Sequence, residues 1–169
     1  YGEYSNGEAM LFGQFLRTGM VCCDLGANIG CHTIYMAKTV GPGGRVLAFE
    51  PQRIVFQILC ANVALNSLTN VYAYDNAVGE TMGRVSVPPI RYEKEGNFGG
   101  VALIEGDQGE GVSVLSLDTL NLEVCHFIKI DIEGMESFAL RGARQTIKKC
   151  KPILYVENDR PEKSNELID

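Results

Sequence analysis

Each of five apolar runs of strand length is closed within two positions by a polar residue: Asp24, Glu50, Asn76, Asp131 and Glu157. The first run leads into Asp24-Leu25-Gly26-Ala27-Asn28-Ile29-Gly30, a glycine-bearing turn followed by a helical pattern. Small residues there let the main chain press against a ligand, and a helix start supplies unpaired amides. The second run, residues 45–49, ends on Glu50, whose carboxylate can accept both hydroxyls of a ribose. Turn and acid together predict a site for a nucleoside cofactor.

The first turn position narrows the cofactor. A dinucleotide fingerprint places glycine there so that a pyrophosphate can rest on helix amides. Here the strand ends in Asp24, which would repel a diphosphate. S-adenosylmethionine carries an ammonium, a carboxylate and a sulfonium but no phosphate. Asp24 would hold the ammonium directly or through water, with amides near Asn28 meeting the carboxylate. An NAD-dependent oxidoreductase is the alternative within enzymes, and a non-catalytic cofactor-binding domain is the alternative outside them.

The elements that position these groups alternate. Apolar residues at helical spacing (Ala9, Leu11, Phe12, Phe15, Leu16) predict a helix over 8–18, closed by Gly19. Strands are predicted at 20–25, 45–49, 71–74, 127–131 and 152–156. Helices are predicted after Gly30, after Pro51, near 117–122, and as one continuous element over 135–148. Residues 80–117 change character: short alternating runs, split by Pro88-Pro89 and many glycines, read as antiparallel strands inserted into the larger pattern. Strands alternating with helices imply a parallel sheet covered on both faces, with ligands beyond its carboxyl edge. The chain reads as one domain over 1–169, with a cofactor half at 20–79, the insertion at 80–117 and a catalytic, substrate-side half at 118–169.

Composition excludes several classes. The chain has 169 residues, of which 46% are hydrophobic and 21% charged, which suits an ordinary globular core. Fifteen basic against 21 acidic residues give a net charge of −6, and no basic stripe marks a nucleic-acid partner. No apolar stretch is long enough for membrane insertion. The six cysteines lack any C-x-x-C spacing and read as buried, reduced thiols of a cytoplasmic protein. The chain opens on Tyr1, so an upstream targeting segment is left open, as is oligomeric state.

The chain resembles the FkbM-type S-adenosylmethionine-dependent methyltransferases. The likeness rests on Asp24 through Gly30, Phe49-Glu50-Pro51, Asn76-Ala77-Val78-Gly79, Ser116-Leu117-Asp118 and above all Lys129-Ile-Asp-Ile-Glu-Gly-Met-Glu136. It implies an α/β fold: a Rossmann-like class I methyltransferase three-layer sandwich with a mainly parallel sheet and a β-rich insertion between strands three and four. Such folds usually close on an antiparallel strand pair. Only 12 residues follow Glu157, so that pair is expected to be missing from this chain. The implied activity is O-methylation of a hydroxyl on a sugar, glycolipid or polyketide-like molecule.

The resemblance also implies roles. Gly26, Ala27, Asn28 and Gly30 would line the methionine part of the cofactor, with Thr33 either beside them or serving only as a helix-start hydroxyl. Glu50, followed by Pro51, would hold the ribose. Asn76 and Ala77 would read the adenine edge, unless Asp75-Asn76 is simply a turn. An alkyl hydroxyl needs a base near neutral pH. Asp131 is the first choice for that base or for a hydroxyl acceptor, and Glu133 the second, unless Glu133 only charges a helix start. Glu157, Asn97 and Phe98 would border the substrate. Glu157 with Asp131 could also begin an oxygen-rich cation site, but we read no metal. Lys129, out of phase with Ile128 and Ile130, would neutralise a nearby acid, while Glu136 would cap the next helix. His32 and His126 read as packing or structural residues.

Overall fold

The computed structural model describes residues 5–93, 98–104, 106, 108–158, 164 and 167. Five short strands, β1 (Val21–Leu25), β2 (Arg45–Phe49), β3 (Val71–Tyr74), β7 (Phe127–Ile130) and β8 (Ile153–Val156), form one sheet in the order β3-β2-β1-β7-β8. All four pairings are parallel. Chain order reverses at β1, so the crevice beyond its carboxyl end lies between the loops after β1 and β7.

Residues two apart share a face, and both faces are covered. Cys22, Val46 and Phe127 pack under helices α1 (Asn6–Phe15) and α2 (Cys31–Val40), against Phe12, Leu16, Met36 and Val40. Ala48 on the same face meets Leu59 of α3 (Arg53–Leu65). On the opposite face, Cys23, Leu47, Phe49, Ile128 and Ile130 pack with Leu117, Ala139 and Ala143. These belong to, or flank, the 3₁₀ turn Leu117–Leu120 and helices α4 (Glu136–Gly142) and α5 (Arg144–Cys150).

The predicted strands agree with the structure to within one residue at either end, and the three-layer α/β plan holds. Two predictions need correction. The helix expected over 135–148 is two, broken at Ala143. Backbone packing explains the break, because an added Cβ on Gly142 would land on the Gly79 carbonyl. Ser116 Oγ donates to the Gly142 carbonyl at 2.7 Å, which occupies the end of α4. Asp118 then starts α5: its carboxylate accepts from Gln145 N (2.9 Å), Thr146 N (2.8 Å) and Thr146 Oγ1 (2.8 Å). The Ser-Leu-Asp segment is therefore a brace between two helices.

The second correction concerns the insertion. Its strands β5 (Gly83–Val87) and β6 (Glu110–Leu115) join β4 (Ala77–Val78), which lies just before the insertion, in a small sheet of order β4-β6-β5. β5 and β6 are antiparallel as expected, but β4 runs parallel to β6. Residues 101–104 contribute only a bridge, Ser86 to Ile104. Among the cysteines, Cys22, Cys23 and Cys125 are buried, whereas Cys31, Cys60 and Cys150 are only half-buried.

Asp118→Ala removes three hydrogen bonds to the start of α5, so it should cost about 2 kcal/mol of unfolding free energy. Urea denaturation read by circular dichroism checks this, and Asp118→Asn should recover part of the loss.

Candidate active site

The site begins with a buried cation. Lys129 lies on the same face of β7 as Phe127, beside Asp24 in the parallel register with β1. Its side chain is 2% exposed, and Nζ sits 3.3 Å from Asp24 Oδ1, 3.1 Å from Asp131 Oδ2 and 3.2 Å from the Gly26 carbonyl. Burial pulls the Lys129 pKa down, but the two carboxylates outweigh it and leave the ammonium above its ordinary value. One lysine therefore ties together the end of β1, the glycine turn and the end of β7.

This arrangement corrects the reading of Asp24. The residue is fully buried and borders neither cavity described below; its second oxygen accepts from Thr33 Oγ1 at 2.6 Å. Asp24 and Thr33 lie beneath the site floor, where Lys129 supplies the positive partner expected from a ligand ammonium. The glycines also have a packing role. Gly26 takes φ +80°, and an added Cβ would strike the Asp131 carbonyl; Gly30 takes φ +94°, and its Cβ would strike Leu59 Cδ1. Both residues serve close protein packing, of loop against loop and helix against helix. Gly26 also borders the cavity, whereas Gly30 does not.

Beyond the floor lies a cavity of about 260 Å³, bordered by Glu50, Pro51 and Gln52, by Asn76 and Ala77, by Gly26 and Asn28, and by Asp131, Glu133 and Glu157. The structure thus brings together four of the five strand-end groups. Its charged side chains are all acids, and no lysine, arginine or histidine borders it among the described residues. Asn28 turns at φ +50°, a conformation asparagine tolerates, with its side chain accepting from Ile29 N at 2.8 Å. That turn aims Asn28 N at Glu50 Oε2 (2.9 Å), while Gln52 N meets Glu50 Oε1 (2.9 Å). Burial pushes the Glu50 carboxyl up to about 7, against the pull of those two amides. Asn76 borders the cavity and also donates weakly to the Ser113 carbonyl at 3.3 Å.

Glu133 is held by its loop. It takes φ +54° and is followed by Gly134 at +94°. Glu136, buried at the start of α4, accepts from Gly134 N at 2.9 Å and Ile132 N at 3.3 Å. Glu136 thus caps the loop before α4 rather than the helix expected to follow it. Carboxylate oxygens of Asp131, Glu133 and Glu157 lie within 4.8 Å of one another.

A second cavity, of about 320 Å³, adjoins the first and shares Gly26, Asn28, Gly99, Asp131 and Glu157 with it. Ala27 and Phe98 border only this one. Asn97 lies outside the described residues. Two residues that the sequence did not single out prove central. Gln52, 4% exposed, donates through Nε2 to the Phe98 carbonyl at 2.7 Å and so ties the insertion to the Glu50 turn. Glu8 of α1 pairs with His32 Nε2 at 3.2 Å and accepts from the Tyr155 hydroxyl. No periodicity marks either residue, because each acts across a tertiary contact. His126 is structural as expected, accepting from Val21 N at 2.9 Å.

A family model described as the methyltransferase FkbM domain matches residues 24–169. Among curated proteins, methyltransferase sdnD of Sordaria araneosa is 26% identical over 154 residues, covering 86% of this chain and 52% of that protein. Methyltransferase 1 of Beauveria bassiana is 26% identical over 142 residues, covering 70% of this chain and 56% of its own length. The chain spans about half the length of the curated relatives it matches. Among solved structures, an FkbM methyltransferase from Methylobacillus flagellatus superposes with a TM-score of 0.60 at 22% identity, covering 89% of this chain and 40% of its own. A SAM-dependent O-methyltransferase from Thermotoga maritima gives 0.57 at 12%, covering 98% and 48%. At those identities the structural likeness establishes the fold.

Two measurements test the site's electrostatics without any ligand. Lys129→Met strands Asp24 without its buried partner and should cost about 3–5 kcal/mol in urea unfolding, with Asp24→Asn restoring part of it. Glu50 titrates higher in the folded chain (about 7) than at its ordinary value of 4.5. Its protonated form therefore favours the folded state, and its contribution is lost as pH climbs through that window. Each pH unit is worth about 1.4 kcal/mol, so the stability gap between wild type and Glu50→Gln should move by up to about 3 kcal/mol in favour of the variant from pH 5 to pH 8.

Proposed function

The chain belongs to the FkbM methyltransferase family, and from that premise we propose that it binds S-adenosylmethionine in the first cavity and methylates a hydroxyl group. The observation that carries the cofactor choice is charge. The cavity wall offers Glu50, Asp131, Glu133 and Glu157 and no basic side chain among the described residues. A pyrophosphate there would face repulsion with no offsetting cation, which argues against NAD. A sulfonium and an ammonium suit the same wall. The bound cofactor supplies an electrophilic methyl on a positively charged sulfur, which departs as a neutral thioether.

The residues divide the work by position. Glu50, already oriented by two amides, accepts the two ribose hydroxyls. Asn76 and Ala77 read the adenine edge, and Pro51 with Gln52 borders the nucleoside. The turn at Gly26 and Asn28 faces the amino-acid end, while Ala27 borders only the second cavity. Asp131 is the base: it stands where the cavities meet, half-exposed, and its contact with Lys129 fixes its orientation. As the acceptor oxygen bonds to carbon, its proton passes to the Asp131 carboxylate. Glu157 borders both cavities and so the acceptor, and Glu133, on the first cavity, is the second choice for base. The whole of 1–169 serves as one methyltransferase domain in this reading.

Calorimetric titration separates the possibilities. S-adenosylmethionine and its demethylated product should bind, and NAD should not; binding of NAD alone would overturn the proposal. Glu50→Gln should weaken cofactor binding more than tenfold, by replacing one acceptor oxygen with a donor. Wild-type affinity should tighten as pH rises through about 7. Asp131→Asn should lower methyl transfer at least 100-fold while leaving cofactor affinity within about threefold.

A further inference from the structure

The second cavity has a wall and an end of opposite character. Its wall is apolar: Ile54, Val55 and Ile58 of α3, with Ile29, and the rings of Tyr92 and Phe98, whose centroids lie 5.2 Å apart. Ile29 is left 39% exposed and Ile58 43% exposed, although both line a concavity of drug-like size. Apolar side chains left wet inside a cavity favour an apolar occupant over water. The polar end consists of Glu8, His32, Lys129, Asp131 and Glu157.

Three acids stand at that end, against Lys129 and His32. Lys129 already serves Asp24 and Asp131, and His32 faces Glu8. An anionic head group would meet carboxylates whose counter-charges are already engaged. An amine held there would be kept protonated and would have no lone pair to accept a methyl. A neutral hydroxyl avoids both penalties, and it can donate to a carboxylate oxygen.

We infer that this cavity is the acceptor chamber and that its ligand is a neutral alcohol carried on an apolar body, rather than a free sugar or a carboxylic acid. The inference rests on the proposed methyl-donor site, because Asp131 and Glu157 border both chambers and put the acceptor oxygen at their junction. α3 and the aromatic pair select the body; the Asp131 end receives the hydroxyl. Gln52 makes the aromatic side of the chamber continuous with the Glu50 turn, through its hydrogen bond to the Phe98 carbonyl.

Simple alcohols test the chamber by binding rather than turnover. Isothermal titration of the free protein with butan-1-ol, hexan-1-ol and octan-1-ol should show affinity rising at least tenfold along the series, at about 0.8 kcal/mol per buried methylene. Octanoate and glucose should bind at least tenfold more weakly than octan-1-ol. Ile58→Trp fills the chamber from a part-exposed position and should weaken octan-1-ol at least tenfold, while S-adenosylhomocysteine affinity stays within twofold. Ile54→Asp, made alongside and checked by thermal unfolding, should have the same effect by adding charge to the wall. A flat alcohol series, octanoate equal to octan-1-ol, or alcohol binding untouched by both folded variants overturns the inference. A parallel loss of S-adenosylhomocysteine in both variants also overturns it, since the cavity would then house the cofactor. Failure of wild type to bind S-adenosylhomocysteine, with the alcohol series intact, would instead strike at the methyl-donor reading.

Discussion

A single buried ammonium organises the site. Lys129 leaves water for a position where Asp24 and Asp131 both lie within 3.3 Å. Desolvating a charge costs several kcal/mol, and only close opposite charges and further hydrogen bonds make such a position tolerable. Lys129 meets that condition by also donating to the Gly26 carbonyl. Three segments far apart in sequence are thereby fixed at one point: the end of β1, the glycine turn and the end of β7. Moving any one of them would strand a buried charge. The carboxylate proposed as base is consequently held by the same contact that secures the floor.

Backbone packing reinforces that point. Gly26 leaves room for the Asp131 carbonyl, so the loops after β1 and β7 touch main chain to main chain. The Asp131 amide donates to the Leu25 carbonyl at 3.1 Å, which extends the sheet pairing by one bond into the loop. Glu136 then gathers the amides of Ile132 and Gly134 on one oxygen. A left-handed Glu133 costs of order 1 kcal/mol and needs surroundings that determine it. Here the capping carboxylate and the following glycine supply them. Precise placement of acids at the sheet rim is thus a property of loops braced on both sides.

How much of this could be read from the sequence depends on distance along the chain. Strands of the main sheet were legible because unbroken apolar runs bounded by glycine and proline specify buried parallel strands locally. The rim acids were legible because a parallel sheet sends all its strand ends to one side. Period two also put Lys129 out of phase with Ile128 and Ile130, beside some acid, and the ion pairs with Asp24 and Asp131 agree. The direction of each side chain was harder to read. Asp24 and Glu50 are both acids at strand ends, yet one is sealed under the floor and the other borders the cavity. Asp24 lies within β1 with Lys129 opposite it in the register, whereas Glu50 lies one residue past β2 and meets the amides of Asn28 and Gln52. The broken helix was hidden for a similar reason: apolar spacing runs through Ala143, and only Ser116, Asp118 and Gly79, all from other elements, end one helix and begin the next. Gln52 and Glu8 left no local trace.

Charge gives the site its direction of use. Folding gathers four carboxylates around the first cavity and leaves the nearest cation, Lys129, below it. Burial, above all, makes Glu50 hold its proton to about pH 7. In the proposed reading, a cationic ligand suits these acids, and its hydroxyls add donors to the two amides that Glu50 already holds. Binding and ionisation of Glu50 therefore favour one another. The chain's net charge of −6 acts in the same direction at longer range, drawing cations and repelling phosphates before contact. In the proposed reading, such a site discriminates by what it repels as well as by what it holds, pyrophosphates in the first cavity and anionic acceptors in its neighbour.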